Sequence, residues 1–518
     1  MRSPTTAGSS RGALALAVLL AAACASAPPR AAAPPAAPAP VAVAPAAVAP
    51  VAGNGHLRAG IVSVRVTGQD WNWREPWEKQ APWTRTVTGL VVPGRKILVA
   101  STAFGNHLLV EAQKLGSEER TVARVELVDQ EGPLALVAVD DPAFWDGLAP
   151  LPLAERAPGE GDVAILRWQR SGLLDAYPGT VRQVRSGRHG LSQTSLLTLE
   201  IGSGTDGLGE SEVVVAKGRV AGLVTGRSGD AYAALAAPVL AQFLDGAAKG
   251  DWRGFARAGL AWQDLTNPAL RSLLGLAPGE TGIRLTRVAP HGSADGVLKP
   301  GDVVLEMGGA KLDPTGYYDH PLYGRMLFAL LFSDGQRPGQ TMPVKVLRDG
   351  QRLDLQLTLR TMRPEEDRVP PYVFGHGPDY VVVGGLIFEE LTRPYLGAWG
   401  DWARRAPPRL LVALDREPEE AGAEPKRIVL LSSVLPDVAN LGYQELRDLI
   451  VERVNGRPIN SLADLRKAFA SPPGGFHVVE FLAGQETARL VLDAGEAEAA
   501  AARLREAYGV EKLDSAAP

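Results

Sequence analysis

Arg95-Lys96-Ile97-Leu98-Val99-Ala100-Ser101-Thr102-Ala103-Phe104, Gly132-Pro133-Leu134-Ala135-Leu136-Val137 and Gly207-Leu208-Gly209-Glu210-Ser211-Glu212 decide the fold of this 518-residue chain. The third stretch runs on through Val213–Val215 into Lys217-Gly218-Arg219-Val220-Ala221-Gly222. Each joins a short Val/Leu/Ile/Ala run to a turn, the signature of a short strand. The pattern repeats outward from Gly60 to about Asp245, in Ile61–Val66, Thr86–Val92, Val163–Arg167, Leu196–Ile201 and Val220–Thr225. Many short strands over about 185 residues imply a pair of barrels or a sandwich. One helix closes the segment at Ala237–Leu244, with Pro238 suited to a helix start.

The three stretches resemble, in order, the catalytic windows of a trypsin-like serine protease of the Deg/HtrA family. There they read roughly "vLTNAHvv", "DiALL" and "GNSGGP". Thr102 stands where the family has its His, Pro133 where it has its Asp, and Gly209 where it has its Ser. Further stretches resemble the plant-type branch: Trp71-Asn72-Trp73-Arg74-Glu75-Pro76-Trp77, Asp140–Trp145, and Gly259-Leu260-Ala261-Trp262-Gln263 followed by Asn267–Arg271. The resemblance implies a trypsin-like double β-barrel over residues 57–250. It also implies oligomers built through that domain.

Serine proteolysis needs a hydroxyl nucleophile, a base and an orienting carboxylate. Thr102, Pro133 and Gly209 supply none of these, and losing the nucleophile or base costs on the order of 10⁶ in turnover. His107 lies five residues beyond Thr102, about 16 Å away along a strand or on another face of a helix. Ser211 and Ser203 are hydroxyls with no base evident beside them. Backbone N–H groups near Gly207 and Gly209 remain as a candidate oxyanion hole. The expectation is therefore an inactive protease frame. The alternative is a serine endopeptidase with a displaced or atypical site.

From Phe255 to about Thr361 the pattern becomes that of a PDZ domain (253–362). Leu298-Lys299-Pro300-Gly301-Asp302-Val303-Val304-Leu305 is a turn followed by an entering strand. Tyr323–Phe332 is predicted as a helix. Val344–Arg348 runs into a tight Asp349-Gly350 turn. A second PDZ-like unit (378–495) contains Val381–Phe388 and Leu449–Ile459. Ser461-Leu462-Ala463-Asp464 starts a helix there, with Leu462, Leu465 and Phe469 on one face. It carries an insert from Thr392 to Lys426, and residues 496–518 are read as a helical tail.

PDZ domains add an extended peptide to a sheet edge and seat its carboxylate on a Gly-containing loop. Ala258-Gly259-Leu260 resembles that loop in the first unit and Gly384-Gly385-Leu386-Ile387 in the second. Either Gly also suits a plain turn or bulge. Arg257 could pair with a peptide carboxylate or be simply solvated. Trp71, Trp73, Trp77 and Trp83 read as a partner surface or as packing across one barrel, and alternation favours packing.

Length alone suggests three or four domains. A net charge of −4, with no basic run, points away from nucleic acid. No P-loop, dinucleotide fingerprint, HExxH or zinc spacing is present, so no cofactor or metal is expected. Arg2 and Arg11 precede an apolar run, Gly12–Ala23, of signal-peptide length. It ends at Ala21-Ala22-Ala23-Cys24, the only cysteine, which resembles a lipobox; cleavage after Ala27 is the other reading. Residues 1–24 are thus a leader, and 25–56 an Ala/Pro-rich linker. Residues 27–52 would span about 80 Å as polyproline. The whole is read as a mainly β, exported cell-envelope or periplasmic protein. It would be lipid-anchored through Cys24, with PDZ domains that bind polypeptide segments or protein C-termini as a scaffold, adaptor or holdase.

Overall fold

The computed structural model describes residues 55–169, 171–415 and 426–516. The leader, Cys24 and nearly all of the Ala/Pro-rich linker lie outside the described residues, as do residues 416–425 near the end of the insert. A short helix α1 (Gly55–Ala59) leads into the first barrel. Its strands are β1 (Ile61–Gly68), β2 (Trp83–Val92), β3 (Lys96–Ala100), β4 (His107–Lys114), β5 (Arg120–Asp129) and β6 (Leu134–Ala138). They close in the order β1-β2-β3-β6-β5-β4. The second barrel closes β10-β11-β12-β9-β8-β7 from β7 (Gly161–Trp168), β8 (Leu174–Gly187), β9 (Leu196–Gly202), β10 (Val213–Ala216), β11 (Arg219–Ser228) and β12 (Ala231–Ala236).

Strand alternation sets where the side chains go. Val62, Val64, Val66, Ile97 and Val99 fill the first barrel. Their neighbours Ile61, Leu98 and Ala100 turn the other way, into a core shared with the second barrel. Helix α2 (Ala237–Lys249) seals that core with Phe243 and ends on Gly250 in the left-handed region. The shared core continues into the segment predicted as the first PDZ unit through the edge-to-face stack Phe243–Trp252–Phe255, with centroids 5.3 and 4.9 Å apart.

The first PDZ unit is a sheet ordered β13-β14-β15-β19-β20. Its strands are β13 (Leu260–Asp264), β14 (Ile283–Val288), β15 (Val303–Met307), with β16 (Ala310–Lys311) paired to it, then β19 (Thr341–Arg348) and β20 (Gln351–Thr358); α3 (Pro268–Leu273) follows β13. Asp349 and Gly350, both at positive φ, turn β19 into β20 as the sequence predicts. The helix expected at Tyr323–Phe332 does not form. Strand β17 (Tyr317–His320) pairs with β18 (Gly324–Leu327), and a 3-10 turn covers Phe328–Phe332. Gly324 at φ +72° permits the hairpin, and Phe328, Leu330 and Phe332 are buried on alternate positions, a pattern unlike a helix face. This segment welds the unit to the second barrel. Tyr323 OH accepts the Ala157 N–H at 3.2 Å, and Gln242 donates to the Gln336 carbonyl at 2.7 Å.

The second PDZ unit is ordered β21-β22-β23-β24-β26-β27, with β25 (Arg457–Pro458) on β24. Its strands are β21 (Tyr380–Val383), β22 (Leu386–Glu390), β23 (Val429–Val434), β24 (Leu449–Val454), β26 (Phe476–Phe481) and β27 (Arg489–Asp493). Helices α4 (Arg393–Gly397), α5 (Trp402–Arg405) and α6 (Pro408–Asp415) come from the insert. Helix α7 (Leu462–Phe469) buries Leu462, Leu465 and Phe469 and is capped by Ser461, whose Oγ accepts the Asp464 N–H at 3.1 Å. Helix α8 (Ala494–Tyr508) follows β27.

The tryptophans correct the expectation of packing across one barrel. Only Trp83 packs there. Trp73 joins the core around Leu391, Tyr395 and Leu410, Trp77 meets Tyr380 edge-on at 6.0 Å, and Trp71 lies against Gly377. They join barrel to PDZ unit because Arg74, between them, reaches the same unit. Its guanidinium donates to Asp448 Oδ1 at 2.8 Å and Tyr395 OH at 3.1 Å and stacks on Trp399 with 3.9 Å to the centroid.

Candidate functional site: the cleft between the barrels

The first and third sequence windows meet where the barrels face each other. Ser101 Oγ donates to Glu210 Oε2 at 2.5 Å, and Thr102 Oγ1 to Glu210 Oε1 at 3.4 Å. The second window joins them through β6, where Leu134 pairs with Ala100. The three windows are thus brought together as a protease frame requires. What they bring is hydroxyls and carboxylates, with no imidazole among them.

Each remaining candidate is spoken for. Ser211 is fully buried, and its Oγ accepts the Ala100 N–H at 2.9 Å. Ser203 donates to the Pro178 carbonyl at 2.8 Å. His107 turns Nδ1 to the Phe104 carbonyl at 2.8 Å. His189 is buried in the second barrel between Thr225 Oγ1 at 2.5 Å and Thr198 Oγ1 at 2.7 Å. Burial drives its pKa down to about 3, with Arg185 adding to the effect, so it is neutral at pH 7 and pins two strands. Among the described residues its two ring nitrogens meet hydroxyls and not a carboxylate, unlike the histidine of a triad.

The candidate oxyanion hole is also altered. The Gly209 N–H donates to Glu212 Oε1 at 2.8 Å, inside the protein. The Leu208 N–H faces Tyr232 OH at 3.4 Å. Arg167 Nε holds the same Glu212 oxygen at 2.5 Å, and its guanidinium also reaches the Gly207 carbonyl. Burial raises the Glu212 pKa, opposed by the Gly209 N–H and Arg167. A resident carboxylate therefore takes an N–H that the sequence offered as a candidate oxyanion donor. Nothing in the sequence motif marks this, because Glu212 sits where the family has a proline, three residues from the N–H that it captures.

The window that would carry the catalytic Asp has become a junction. Glu131 accepts from Gln193 N–H and Thr194 N–H, both at 2.9 Å, from Thr194 Oγ1 at 2.7 Å, and from Tyr372 OH at 3.2 Å. Asp129 accepts from the Gly132 N–H at 2.7 Å and Trp252 Nε1 at 2.8 Å, and burial pushes its pKa up to about 6. The chain between the PDZ units then crosses the first barrel. Phe374 lies over Gly105, and the Gly375 N–H reaches Asn106 Oδ1 at 3.3 Å.

The two predicted peptide loops differ. In the first, Gly259 has φ +68°, and a Cβ there would come within 3.1 Å of Gly292 Cα and 3.2 Å of Met362 Sδ. The Gly259 carbonyl accepts the Ala289 N–H at 2.7 Å, and the Arg257 N–H is bonded to the Arg360 carbonyl at 2.9 Å. Strand β13, which the loop enters, is the edge of its sheet. In the second, Gly384 and Gly385, both at positive φ, form the turn between β21 and β22. Their carbonyls are held by Asn440 Nδ2 and the Leu435 N–H, and β21 itself lies along the β22 edge. Leu386 and Ile387 are buried in β22.

Comparisons with known proteins bear on the second PDZ unit first. A family model described as a PDZ domain matches residues 369–517. The putative mitochondrial protease Do-like 3 of Arabidopsis thaliana is 27% identical over 412 residues, 79% of this chain and 71% of that protein. Chloroplastic protease Do-like 2 of the same plant is 24% identical over 464 residues, 88% of this chain and 74% of the relative. Among solved structures, the HtrA-type protease AlgW with a decapeptide aligns with TM-score 0.44 and 18% identity, over 60% of this chain and 99% of that one.

Proposed function

Starting from a chain homologous to Deg/HtrA-type, Do-like proteases and carrying a PDZ domain, we propose that it is a pseudoprotease whose work is binding polypeptide segments. One observation carries the reading: the three windows themselves contain no imidazole, His189 near them is held by Thr198 and Thr225, and the Gly209 N–H is bonded to Glu212. A serine hydrolase without a base loses on the order of 10⁶ in turnover, and without an oxyanion donor about 10² to 10³ more.

Binding is assigned to the first PDZ unit, at Ala258-Gly259-Leu260 and the free edge of β13. What supports this is the edge position of β13 and a glycine at φ +68° where a side chain would crowd the backbone. A C-terminal peptide library should yield ligands that Gly259→Val loses by at least tenfold. Ligands indifferent to Gly259→Val would make the first unit structural.

Export and a lipid anchor at Cys24 belong to the same proposal and rest on sequence alone. Cys24→Ser should release the protein from membranes and remove the acyl mass; continued membrane partition of that variant would count against the anchor.

A further inference from the structure

Beyond α8 the chain turns back on itself. Gly509 takes φ +66°, Val510 is fully buried, and Leu513-Asp514-Ser515 lies along the outer edge of β21. The Val382 N–H donates to the Leu513 carbonyl at 2.6 Å, and the Ser515 N–H to the Tyr380 carbonyl at 3.1 Å. The Tyr380 N–H is taken by Ser515 Oγ at 3.0 Å. Leu513 packs with Tyr380, Val382 and Leu504. Arg466 of α7 bonds both oxygens of Asp514 at 3.0 Å and Asp379 at 2.7 Å.

These are the elements of strand addition: main-chain bonds to an edge, an apolar anchor, and a cation for a flanking carboxylate. The segment does not fill its place. A cavity of about 530 Å³ remains beside Leu513, lined by Val382, Phe469, Ala497 and Leu504. Another, of about 740 Å³, opens on the Ser515 side between Tyr380, Trp71 and Trp77. A larger apolar side chain in place of Leu513 would gain contact that leucine leaves unused.

We propose that the outer edge of β21, with Arg466 beside it, is a second polypeptide-binding site. It takes extended segments of the pattern apolar, acidic, hydroxyl, and residues 513–515 of the same chain fill it in cis. The site is separate from the Gly259 loop and rests on the polypeptide-binding reading above. A cis occupant on a short tether competes at an effective concentration of about 1 mM. A free peptide binding the open edge at about 50 μM would therefore be weakened about 20-fold in the intact chain.

The test is fluorescence anisotropy with a labelled Lys-Leu-Asp-Ser-Ala-Ala-Pro peptide, the sequence of residues 512–518. Deleting 512–518 keeps Val510 in place and should tighten binding at least tenfold over the intact chain. Adding Arg466→Glu, or a lysine in place of the peptide aspartate, should abolish it. If the shortened chain does not melt cooperatively, the full-length Leu513→Ser, Asp514→Lys variant opens the same edge. The proposal is overturned if a cooperatively folded opened chain binds no tighter than the intact one, or binds the lysine peptide equally well. Gly259→Val should leave this binding unchanged, so failure at either loop or edge is separately visible.

Discussion

On the pseudoprotease reading, installing the family's triad residues should not create a protease, because Glu212 holds the N–H of residue 209. The perturbation is Thr102→His, Pro133→Asp and Gly209→Ser in one chain. Gly209 has room for it: the nearest atom to an added Cβ is Glu212 Oε1 at 3.7 Å. In that chain the N–H of residue 209 would still donate to Glu212 at 2.8 Å. Loss of one oxyanion donor costs about 10² to 10³ in rate, or roughly 3–4 kcal/mol. The resident carboxylate would further oppose a second negative charge beside it. The rate of fluorophosphonate labelling at residue 209 should therefore remain at least about 10²-fold below that of an active HtrA-type enzyme. Adding Glu212→Gln, which keeps the shape and removes the charge, or Glu212→Ala, which frees the N–H, should recover a large part of the deficit, more with alanine. Two results refute the reasoning: full-rate labelling of the triad-restored chain with Glu212 intact, and no gain on removing Glu212 from a folded one.

Two further outcomes concern the joint between the first barrel and the second PDZ unit. Arg74→Ala leaves buried Asp448 with Tyr395 OH at 2.6 Å as its side-chain donor and should cost about 2–3 kcal/mol, less than a fully buried pair because Arg74 is a third exposed. Limited proteolysis should then cut faster between Pro364 and Pro378; an unchanged digestion rate would show that Arg74 is not holding the units together. Glu389, beneath the same joint, is fully buried, and burial outweighs Ser432 and Arg74 to raise its pKa to about 8 from 4.5. Its raised folded pKa means that its contribution is fully favourable below pH 4.5 and is lost as pH rises to 8, by about 5 kcal/mol. Glu389→Gln should therefore match the parent near pH 4.5 and exceed it increasingly towards pH 8.5 in denaturant melts. Parallel curves for the two proteins would contradict this.

Much of the fold was legible in the sequence because barrels and PDZ sheets are written in local terms. The Val62/Val64/Val66 alternation, the Asp349-Gly350 turn and the Ser461 cap each need only a few neighbouring residues. The positions of Thr102 and Gly209 were legible for the same reason, since the short strands beside them fix their place. What failed depended on contacts distant in sequence. Tyr323–Phe332 has helix-like apolar content, but Gly324 and docking against the second barrel impose a hairpin. Trp71 and Trp77 alternate as if for a barrel interior, yet their partners Gly377 and Tyr380 lie 300 residues on. Glu131, Glu212 and Arg466 carried no motif. Glu131 and Arg466 gain their roles from groups far along the chain, whereas Glu212 captures an N–H three residues away that no motif marks.

The central claim is the silence of the cleft, and the most direct measurement is labelling of the purified parent protein by a fluorophosphonate beside an active HtrA-type enzyme at equal concentration. The account predicts no serine adduct by mass spectrometry after complete labelling of the comparator. A stoichiometric adduct on Ser101, Ser203 or Ser211, lost when that residue is changed to alanine, would contradict it.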